Sequence, residues 1–428
     1  MSRLMFNFGK IDVPLKNLLY AVLLIAVLGL GLSFKKGKPG PTNTVYHTTV
    51  LRQLDPKEFK RYHDKLEEHF SKNLFNKGFN GGLIVAKDGV VLLEKYSGFA
   101  DLRTHDSITA NTSLHLASVS KTLTSAGVLL LMETGKLSLQ DTLDKFFPGF
   151  PYQGITIKML LSQRSGLPNY LNYLSKLKKN DTCYSNNDVL NSLYTLNPNL
   201  EYTPGTRFSY SNTNYVLLAL IIEKVSGESY PAYMKTNLFD PLKMQHTFVH
   251  TANDSLVASP SFEWNGRYWQ PDPFDCTYGD KNIYSTPQDM LKWDQALYSG
   301  QLFKKETLDL AFAPYSNERP SVHNYGLGWR MLNLHNGKKI IYHNGRWHGT
   351  NSVFVRLMDE KATIIIIGNK FNRNIYLSAR KAYDIFGEYL QDKPTQSDET
   401  ENEEGGNIVI QKKISPAQKT DRPVQTKR

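Results

Sequence analysis

Cysteine is scarce in this chain, and its scarcity excludes several kinds of site. The 428 residues contain two cysteines, Cys183 and Cys276, and no C-x-x-C pair, so a metal site of that type is excluded. A core of the size this chain can bury needs no disulfide. The two cysteines either pair in an oxidising compartment or both remain buried thiols.

A zinc-protease motif is also missing. His246 and His250 lie four residues apart in HTFVH, but the glutamate that such a motif requires is absent. We expect both histidines to lie on the surface or in a loop. We predict no metal and no cofactor.

Charge of one sign is not concentrated in the middle of the chain. The formal net charge is +11, of which residues 1–40 carry +5 and residues 391–428 carry none. The remaining +6 is spread over about 350 residues, and no basic stripe is interleaved with aromatic residues. The sequence therefore predicts no nucleic-acid binding.

The long hydrophobic run in the sequence is LLYAVLLIAVLGLGLSF, at residues 18–34. Its 17 residues carry no charge and lie between Lys16 and Lys35, and this length is just sufficient for a helix that spans a bilayer. We predict a single-pass membrane anchor, with residues 1–17 in the cytoplasm and the bulk of the chain exported. A cleaved signal peptide, which leaves a secreted or periplasmic protein, is the alternative.

Composition divides the rest of the chain into three parts. Residues 35–55 contain a stretch rich in glycine, proline and lysine and are interpreted as a linker. Residues 56–391 carry the hydrophobic patterns of a folded domain. Residues 392–428 are polar, with seven acidic and seven basic residues, and are predicted to be disordered.

Hydrophobic periodicity within the domain predicts an α+β fold. An amphipathic helix is indicated by Phe59, Tyr62, Leu66 and Phe70, and a hairpin by two β-rich runs that meet at Asp88-Gly89. Four further strands follow in close succession at residues 325–334, 338–345, 350–358 and 362–370, and residues 375–390 close the domain as a helix. We expect an antiparallel sheet flanked by helices, with a mostly helical lobe inserted between its two parts.

A serine and a lysine are placed together at the start of an apolar helix. In ASVSKTLTSAGVLLLMETG, Ser118 and Lys121 are three residues apart and therefore share one helix face. A lysine amine can accept the proton of a serine hydroxyl when burial lowers its pKa. The pattern S-x-x-K occurs four times, starting at Ser33, Ser118, Ser175 and Ser378, but only Ser118 opens a helix with an apolar stripe, formed by Leu123, Ala126, Leu130 and Leu131.

A tyrosine and an asparagine supply a second polar pair. The pattern Y-x-N occurs five times, and at Tyr210-Ser211-Asn212 it falls in a turn just before another apolar helix. Taken alone, each pattern is also compatible with an ordinary helix turn or loop.

With these motifs in this order, the chain resembles the serine β-lactamase-like family, which includes class C β-lactamases, DD-peptidases and related esterases. Ser118–Lys121 matches the family's S-x-x-K and Tyr210–Asn212 its Y-x-N, while His343-Asn344-Gly345 stands at its K-T-G or H-x-G strand motif. Other stretches, such as LLSQRSGLPNY, LFDPLKMQHT, YSTPQDMLKW and YGLGW, also look like family landmarks, and the resemblance covers about residues 60–390.

The resemblance implies a β-lactamase/transpeptidase-like fold and a role for each matched residue. Ser118 would be the acylated nucleophile, Lys121 the base, and Tyr210 the group that passes a proton to the leaving group. Asn212 would hold substrate or orient Lys121, His343, Asn344 and Gly345 would line the cleft, and the backbone N–H groups of Ser118 and Arg346 would form an oxyanion hole.

Two positions depart from the family pattern. Gln163 replaces a histidine found in many relatives, which we expect to affect local packing more than chemistry. His343 replaces the lysine of class C β-lactamases, and a histidine is only weakly charged near neutral pH. We therefore expect weaker retention of a substrate carboxylate and less β-lactamase activity.

The predicted function is an exported, membrane-anchored serine hydrolase that forms an acyl-enzyme with a peptide, amide or ester. Its expected partners are a small-molecule or peptidoglycan-like substrate and, through the N-terminal helix, a membrane. The alternative is a catalytically silent binding or cell-wall scaffold protein on the same fold. The aromatic run at residues 262–280 is compatible with an apolar or sugar-stacking rim and equally with a packed lid.

Overall fold

The computed structural model describes residues 52–176, 183–251, 254 and 257–389. The predicted N-terminus at 1–17, the membrane segment at 18–34, most of the 35–55 linker and the tail at 392–428 lie outside the described residues. Within the described part, no helix is both long enough and apolar enough to cross a membrane.

Twelve strands occur among the described residues. They are β1 (Gly81–Lys87), β2 (Val90–Ser97), β3 (Phe99–Asp101), β4 (Asp106–Ser107), β5 (Leu114–His115), β6 (Phe248–Val249), β7 (Ile283–Ser285), β8 (His323–Tyr325), β9 (Arg330–Asn333), β10 (Lys339–Trp347), β11 (Thr350–Leu357) and β12 (Ala362–Gly368).

Eleven α-helices occur in the same described ranges. They are α1 (Pro56–Asn73), α2 (Ser120–Glu133), α3 (Leu143–Phe146), α4 (Ile157–Leu161), α5 (Tyr170–Leu174), α6 (Asn186–Thr195), α7 (Asn212–Ser226), α8 (Tyr230–Met234), α9 (Pro287–Ser299), α10 (Lys305–Ala311) and α11 (Asn374–Lys381).

The central sheet has seven strands in the order β2-β1-β12-β11-β10-β9-β8, and each described pair is antiparallel. The predicted hairpin joins β1 to β2 at Asp88 and Gly89, which both have positive φ, as a tight two-residue hairpin turn requires. Since β8–β12 come from the end of the chain and β1–β2 from its beginning, the helices between them form an inserted lobe. The α+β fold predicted from the sequence is confirmed.

The sheet is covered on both faces. On the face that we call outer, α1 and α11 pack on alternate strand residues such as Leu83, Val85, Ile364 and Ile366. On the inner face, the helical lobe packs on the intervening residues, among them Ile84, Ile365 and Ile367. This alternation is the two-residue period of a sheet that is buried on both sides.

The predicted amphipathic helix is α1. It begins after Asp55, whose carboxylate accepts hydrogen bonds from the backbone N–H groups of Lys57 and Glu58 and so caps the helix. It buries Tyr62, Leu66 and Phe70 at helical spacing, as predicted.

Two helices differ from the prediction. The C-terminal helix ends at Lys381 instead of continuing to residue 390, and a 3₁₀ turn at Tyr383–Ile385 follows. This change of direction brings Phe386 into a stacked contact with Tyr62 of α1.

Helix α2 was expected to bury a single apolar stripe. It is instead buried on almost its whole circumference, and the buried side chains include the polar residues Lys121, Thr122 and Thr124. The inserted lobe surrounds α2, so one apolar face does not describe its environment.

The two cysteines form a disulfide. Cys183 and Cys276 are bonded, with their Cα atoms 5.6 Å apart. The pairing resolves the alternative that the sequence left open. It links the segment before α6 to the loop that precedes β7, which is the loop that borders the candidate site.

Candidate active site

Ser118 lies in a 3₁₀ turn, Ala117–Val119, that leads directly into α2. Ala117 has a φ of 47°, an unusual conformation for a residue with a side chain. The turn packs against β10 at Gly345, where an added Cβ would lie 2.3 Å from the carbonyl oxygen of Leu116. The Ser352 hydroxyl donates a hydrogen bond of 2.6 Å to the same carbonyl. Close packing on the sheet therefore fixes the position of Ser118.

Lys121 is completely buried and holds three hydrogen bonds. Its Nζ donates to Ser118 Oγ at 3.2 Å, to Asn212 Oδ1 at 2.7 Å and to the backbone oxygen of Asp280 at 2.8 Å. Burial lowers the pKa of Lys121 to about 7, with the positive charge of Arg330 acting in the same direction and Asp280 opposing it. A substantial fraction of this amine is therefore neutral near pH 7 and able to accept a proton.

The start of α7 brings Tyr210 and Asn212 to the same place. Two basic groups lie over the Tyr210 ring, with Lys121 Nζ 4.9 Å and the guanidinium carbon of Arg330 5.1 Å from its centroid. Burial raises the pKa of Tyr210, although the charge of Arg330 and the Ser118 hydroxyl favour its ionised form. Tyr210 is therefore a neutral phenol that faces the serine and the lysine.

Gln163 anchors the turn that carries this motif. Its Oε1 accepts hydrogen bonds from the backbone N–H of Ser211 at 3.0 Å and from Asn214 Nδ2 at 2.5 Å. These contacts agree with the expected role of Gln163 in local packing.

His343 lies on β10 with its ring buried. Its Nδ1 is 2.7 Å from the backbone oxygen of Asn344, so this nitrogen carries the proton, and Nε2 can accept from Tyr325 OH at 3.3 Å. Burial, with the nearby charges of Arg330 and Lys121, holds the pKa of His343 well below its usual value. The imidazole is therefore neutral, which goes beyond the weak charge expected from the sequence.

The next residues of β10 present their backbone to the site. Along this strand His343, Gly345 and Trp347 are buried on the inner face, whereas Asn344 and Arg346 alternate with them and are half-buried. The guanidinium of Arg346 lies 5.3 Å from the centre of the Phe371 ring. The structure thus brings Ser118, Lys121, Tyr210, Asn212, His343 and Gly345 together, and leaves the side chains of Asn344 and Arg346 on the other face.

The comparisons with known proteins identify the family of this chain. The β-lactamase family model matches residues 64–385. The chain belongs to the β-lactamase family. It is a serine hydrolase with the β-lactamase/transpeptidase-like fold.

Penicillin-binding proteins are among the relatives by sequence and by structure. Penicillin-binding protein 4* of Bacillus subtilis (strain 168) is 33% identical over 308 residues, which are 68% of this chain and 68% of that protein. A penicillin-binding protein structure from Bacillus halodurans has a TM-score of 0.65 at 21% identity, covering 74% of this chain and 99% of that chain.

A D-amino acid amidase structure from Ochrobactrum anthropi SV3 has a TM-score of 0.62 at 21% identity, covering 76% of this chain and 97% of that chain. At these identities, the two structures show a shared fold.

Sequence reasoning missed two contributors to this family site. Arg330, on β9, is paired in register with Tyr342 and places its charge beside Tyr210. Asp280 contributes its backbone oxygen to Lys121. An arginine on a strand and a main-chain carbonyl carry no motif, so no sequence signal identified them.

The loop that contains the aromatic run lines a separate cavity of about 780 Å³. Trp264 is 71% exposed, while the Trp269 ring packs against His348 with the ring centres 5.4 Å apart, so the run is partly packed and partly open. His250 also lines this cavity; it lies in the loop after β6, as expected, and is half-buried against Tyr284.

Asp272, Asp275 and His348 lie close enough together to offer ligand atoms to a metal ion. Asp275 already accepts hydrogen bonds from Trp347 Nε1 and His348 Nε2, both at 2.8 Å, and from the backbone N–H of Asp272. These contacts explain the cluster as packing of the loop, and we assign no metal to it.

Proposed function

We propose that this protein is an exported, membrane-anchored serine hydrolase that cleaves peptide or amide bonds through an acyl-enzyme on Ser118. The observation that carries the proposal is the contact at 3.2 Å between the Ser118 hydroxyl and the buried Lys121, whose pKa burial lowers to about 7. A lysine with three partners is held in one orientation, and burial gives it the pKa that a general base needs near neutral pH.

Ser118, Lys121, Tyr210 and one water molecule supply every bond and proton transfer that this hydrolysis needs. Ser118 Oγ attacks the substrate carbonyl carbon while its proton passes to Lys121 Nζ. The bond to the leaving amine then breaks, and that amine receives a proton through the Tyr210 hydroxyl, leaving an ester on Ser118. Water, deprotonated by the same groups, attacks the ester, releases the acid and restores the serine. The backbone N–H groups of Ser118 and Arg346 would stabilise the oxyanion in each addition step.

The strand next to the site favours an extended peptide as substrate. The register of β9 on β10 covers Lys339–Tyr342, and β10 continues from there to Trp347 past Ser118. An extended chain can bind along a strand edge through main-chain hydrogen bonds. The names of the relatives, penicillin-binding proteins and a D-amino acid amidase, support a peptide or amide with a D-amino acid.

The charges near the strand favour a substrate that carries a carboxylate. His343 is neutral, but Arg330 keeps a positive charge beside Tyr210 at every physiological pH. We therefore propose carboxypeptidase-type cleavage before a terminal D-amino acid, in preference to cleavage of its amide.

The location rests on the hydrophobic segment at residues 18–34, which is long enough to span a bilayer and is followed by a linker. Penicillin-binding proteins among the relatives support a catalytic domain outside the cytoplasm. Mass spectrometry of the membrane fraction tests this point: an intact N-terminus supports the anchor, and a chain that begins shortly after residue 34 contradicts it.

The experiment that tests the function uses full-length protein in detergent and a short p-nitrophenyl ester. Wild type should release p-nitrophenol and acquire an acyl adduct on Ser118, detected by intact-mass and peptide mass spectrometry. Ser118→Ala should lose activity by about 10⁴-fold or more, since a catalytic nucleophile has no substitute.

A matched control is available. Ser175→Ala removes an exposed serine that also begins an S-x-x-K pattern, and it should leave turnover unchanged. Equal turnover by wild type and Ser118→Ala would overturn the assignment. Absence of any adduct with esters and with peptides ending in a D-amino acid would favour the silent binding protein.

A further inference from the structure

A second buried lysine, Lys281, is next in sequence to Asp280, the residue whose backbone oxygen accepts a hydrogen bond from Lys121. The side chains of Lys281 and Asp280 are 4% and 1% exposed. The Lys281 Nζ donates to Tyr170 OH at 2.6 Å, to Asp280 Oδ2 at 3.3 Å and to the Thr277 hydroxyl. It also lies 4.5 Å above the centre of the Trp347 ring. Each of the three N–H donors of this amine has an acceptor or an ion-pair partner. Burial lowers the pKa of Lys281, and the paired Asp280 opposes that shift.

Asp280 depends on this lysine for its charge balance. Its Oδ2 accepts from Tyr170 OH at 2.9 Å as well as from Lys281, but its Oδ1 is buried with no hydrogen-bond partner among the described residues. A buried carboxylate is costly unless it is paired. Lys281 is the cation paired with it.

The same segment is fixed along α2 by its backbone. Thr124 donates to the carbonyl of Gly279 at 2.7 Å, Lys121 donates to the carbonyl of Asp280, and the N–H of Ile283 donates to Ser120 Oγ at 3.2 Å. One residue, Asp280, therefore contacts Lys121 through its main chain and Lys281 through its side chain.

We infer that Asp280, Lys281 and Tyr170 form a positioning unit for Lys121, in which Lys281 neutralises the Asp280 carboxylate. The unit can then present the residue-280 carbonyl to Lys121 without a net negative charge that would keep Lys121 protonated. The inference rests on the proposed function of Lys121 as a base.

The other groups around Lys121 are neutral apart from Arg330, whose positive charge also favours the neutral amine. Helix α7 and the turn before it offer the neutral Asn212, Tyr210 and Tyr215, β10 offers the neutral His343, and β9 offers Arg330, which is positive. Asp280 is the charged group that favours the protonated form of Lys121. Asp275 also acts on Lys281, from the far side of the loop.

The sign of the effect follows from these charges. If the positive charge of Lys281 is removed, Asp280 remains as an unbalanced anion and Lys121 becomes harder to deprotonate. If the negative charge of Asp280 is removed, Lys121 becomes easier to deprotonate. A unit that only holds the loop in place would give no such opposite shifts.

The experiment measures kcat/KM of full-length protein for p-nitrophenyl acetate as a function of pH. The acidic limb is the low-pH side of this profile, where kcat/KM falls as Lys121 becomes protonated. Lys281→Met should raise the midpoint of this limb by about one pH unit, which is the effect of one unbalanced charge near a lysine. The isosteric Asp280→Asn should move it downward, and the double variant should return it close to wild type. Lys281→Arg, which retains the charge, should leave the limb nearest to that of wild type.

A matched control comes from the first hairpin. Lys87 and Asp88 are also adjacent, buried and ion-paired, with Lys87 Nζ 3.2 Å from Asp88 Oδ2, but they lie at the β1–β2 turn. Lys87→Met should leave the limb unmoved. Should Lys281→Met not fold, the downward shift in Asp280→Asn decides the matter. Shifts in the same direction, or no shift in either single variant, would overturn the inference.

Failure of this inference can be distinguished from failure of the proposed function. If wild type forms an acyl adduct on Ser118 but the limb does not respond to residues 280 and 281, only the positioning unit is wrong. If no adduct forms on Ser118, both are wrong, because the limb then does not report on Lys121.

Discussion

The outer and inner faces of the central sheet are buried to a similar degree but by different chemistry. The outer face is covered by α1 and α11 and contains apolar side chains such as Leu66, Phe70 and Val85. The inner face also holds charged groups, among them Lys121 and the Arg356–Asp294 pair, which is bonded at 2.6 Å. An apolar face requires only burial and shape, whereas every charged group on the inner face requires a particular partner. The candidate catalytic groups therefore lie on the inner side of the sheet, whereas burial on both faces stabilises the fold.

The largest expected effect comes from the inner face. Lys121→Met should reduce kcat/KM for the p-nitrophenyl ester by about 10³-fold or more, because no other described group can accept the Ser118 proton at hydrogen-bonding distance. Ester hydrolysis measured beside thermal unfolding separates activity from folding. Lys87→Met, which removes a buried lysine remote from Ser118, is the control and should keep near wild-type activity. Retention of a tenth of the activity by Lys121→Met would contradict the role of Lys121.

The outer face should respond in the opposite way. Phe70→Ala leaves a cavity beneath α1 and should lower the free energy of unfolding by about 3–5 kcal/mol. Its kcat at a temperature where the variant is folded should match wild type. Denaturant unfolding measures the first quantity, and Phe59→Ala, at a half-buried position of the same helix, should lose less. A large loss of kcat in the folded variant would show that the two faces are not separable.

The pH dependence of the wild type sharpens the assignment to Lys121. The amine is useful only when neutral, and its pKa is lowered to about 7 by burial. Below that pH the protonated fraction rises, so kcat/KM should fall about tenfold for each pH unit. A profile for an uncharged ester measures this limb. A limb near the ordinary lysine pKa of about 10.4 would mean that Lys121 is not buried as described.

The smallest effect is expected at His343. Its pKa is held well below the usual value by burial and nearby cations, so it is neutral throughout the range in which Lys121 titrates. His343→Gln should lower kcat/KM by about tenfold or less, the value of one hydrogen bond, and should not move the acidic limb. The same pH profile tests this, with wild type as the reference. A limb that disappears in His343→Gln would assign the titration to the histidine.

Much of the fold was predictable because it depends on local patterns. The helical spacing of Tyr62, Leu66 and Phe70 and the Asp88-Gly89 turn led to α1 and the β1–β2 hairpin. The C-terminal helix was predicted too long, because its end is set by the contact of Phe386 with Tyr62, more than 300 residues away in sequence. Such a contact leaves no periodic signal near the helix end.

The sequence by itself determined the α+β class, the family, and the positions of Ser118, Lys121, Tyr210 and Asn212, because these depend on short spacings and their context. The tertiary structure alone decided the charge states. Burial makes His343 neutral and lowers the pKa of Lys121, and only the folded chain brings Arg330, Asp280 and Lys281 beside them. The pKa of a side chain depends on its burial and on charges that distant segments bring close to it. Both arise only when the chain folds.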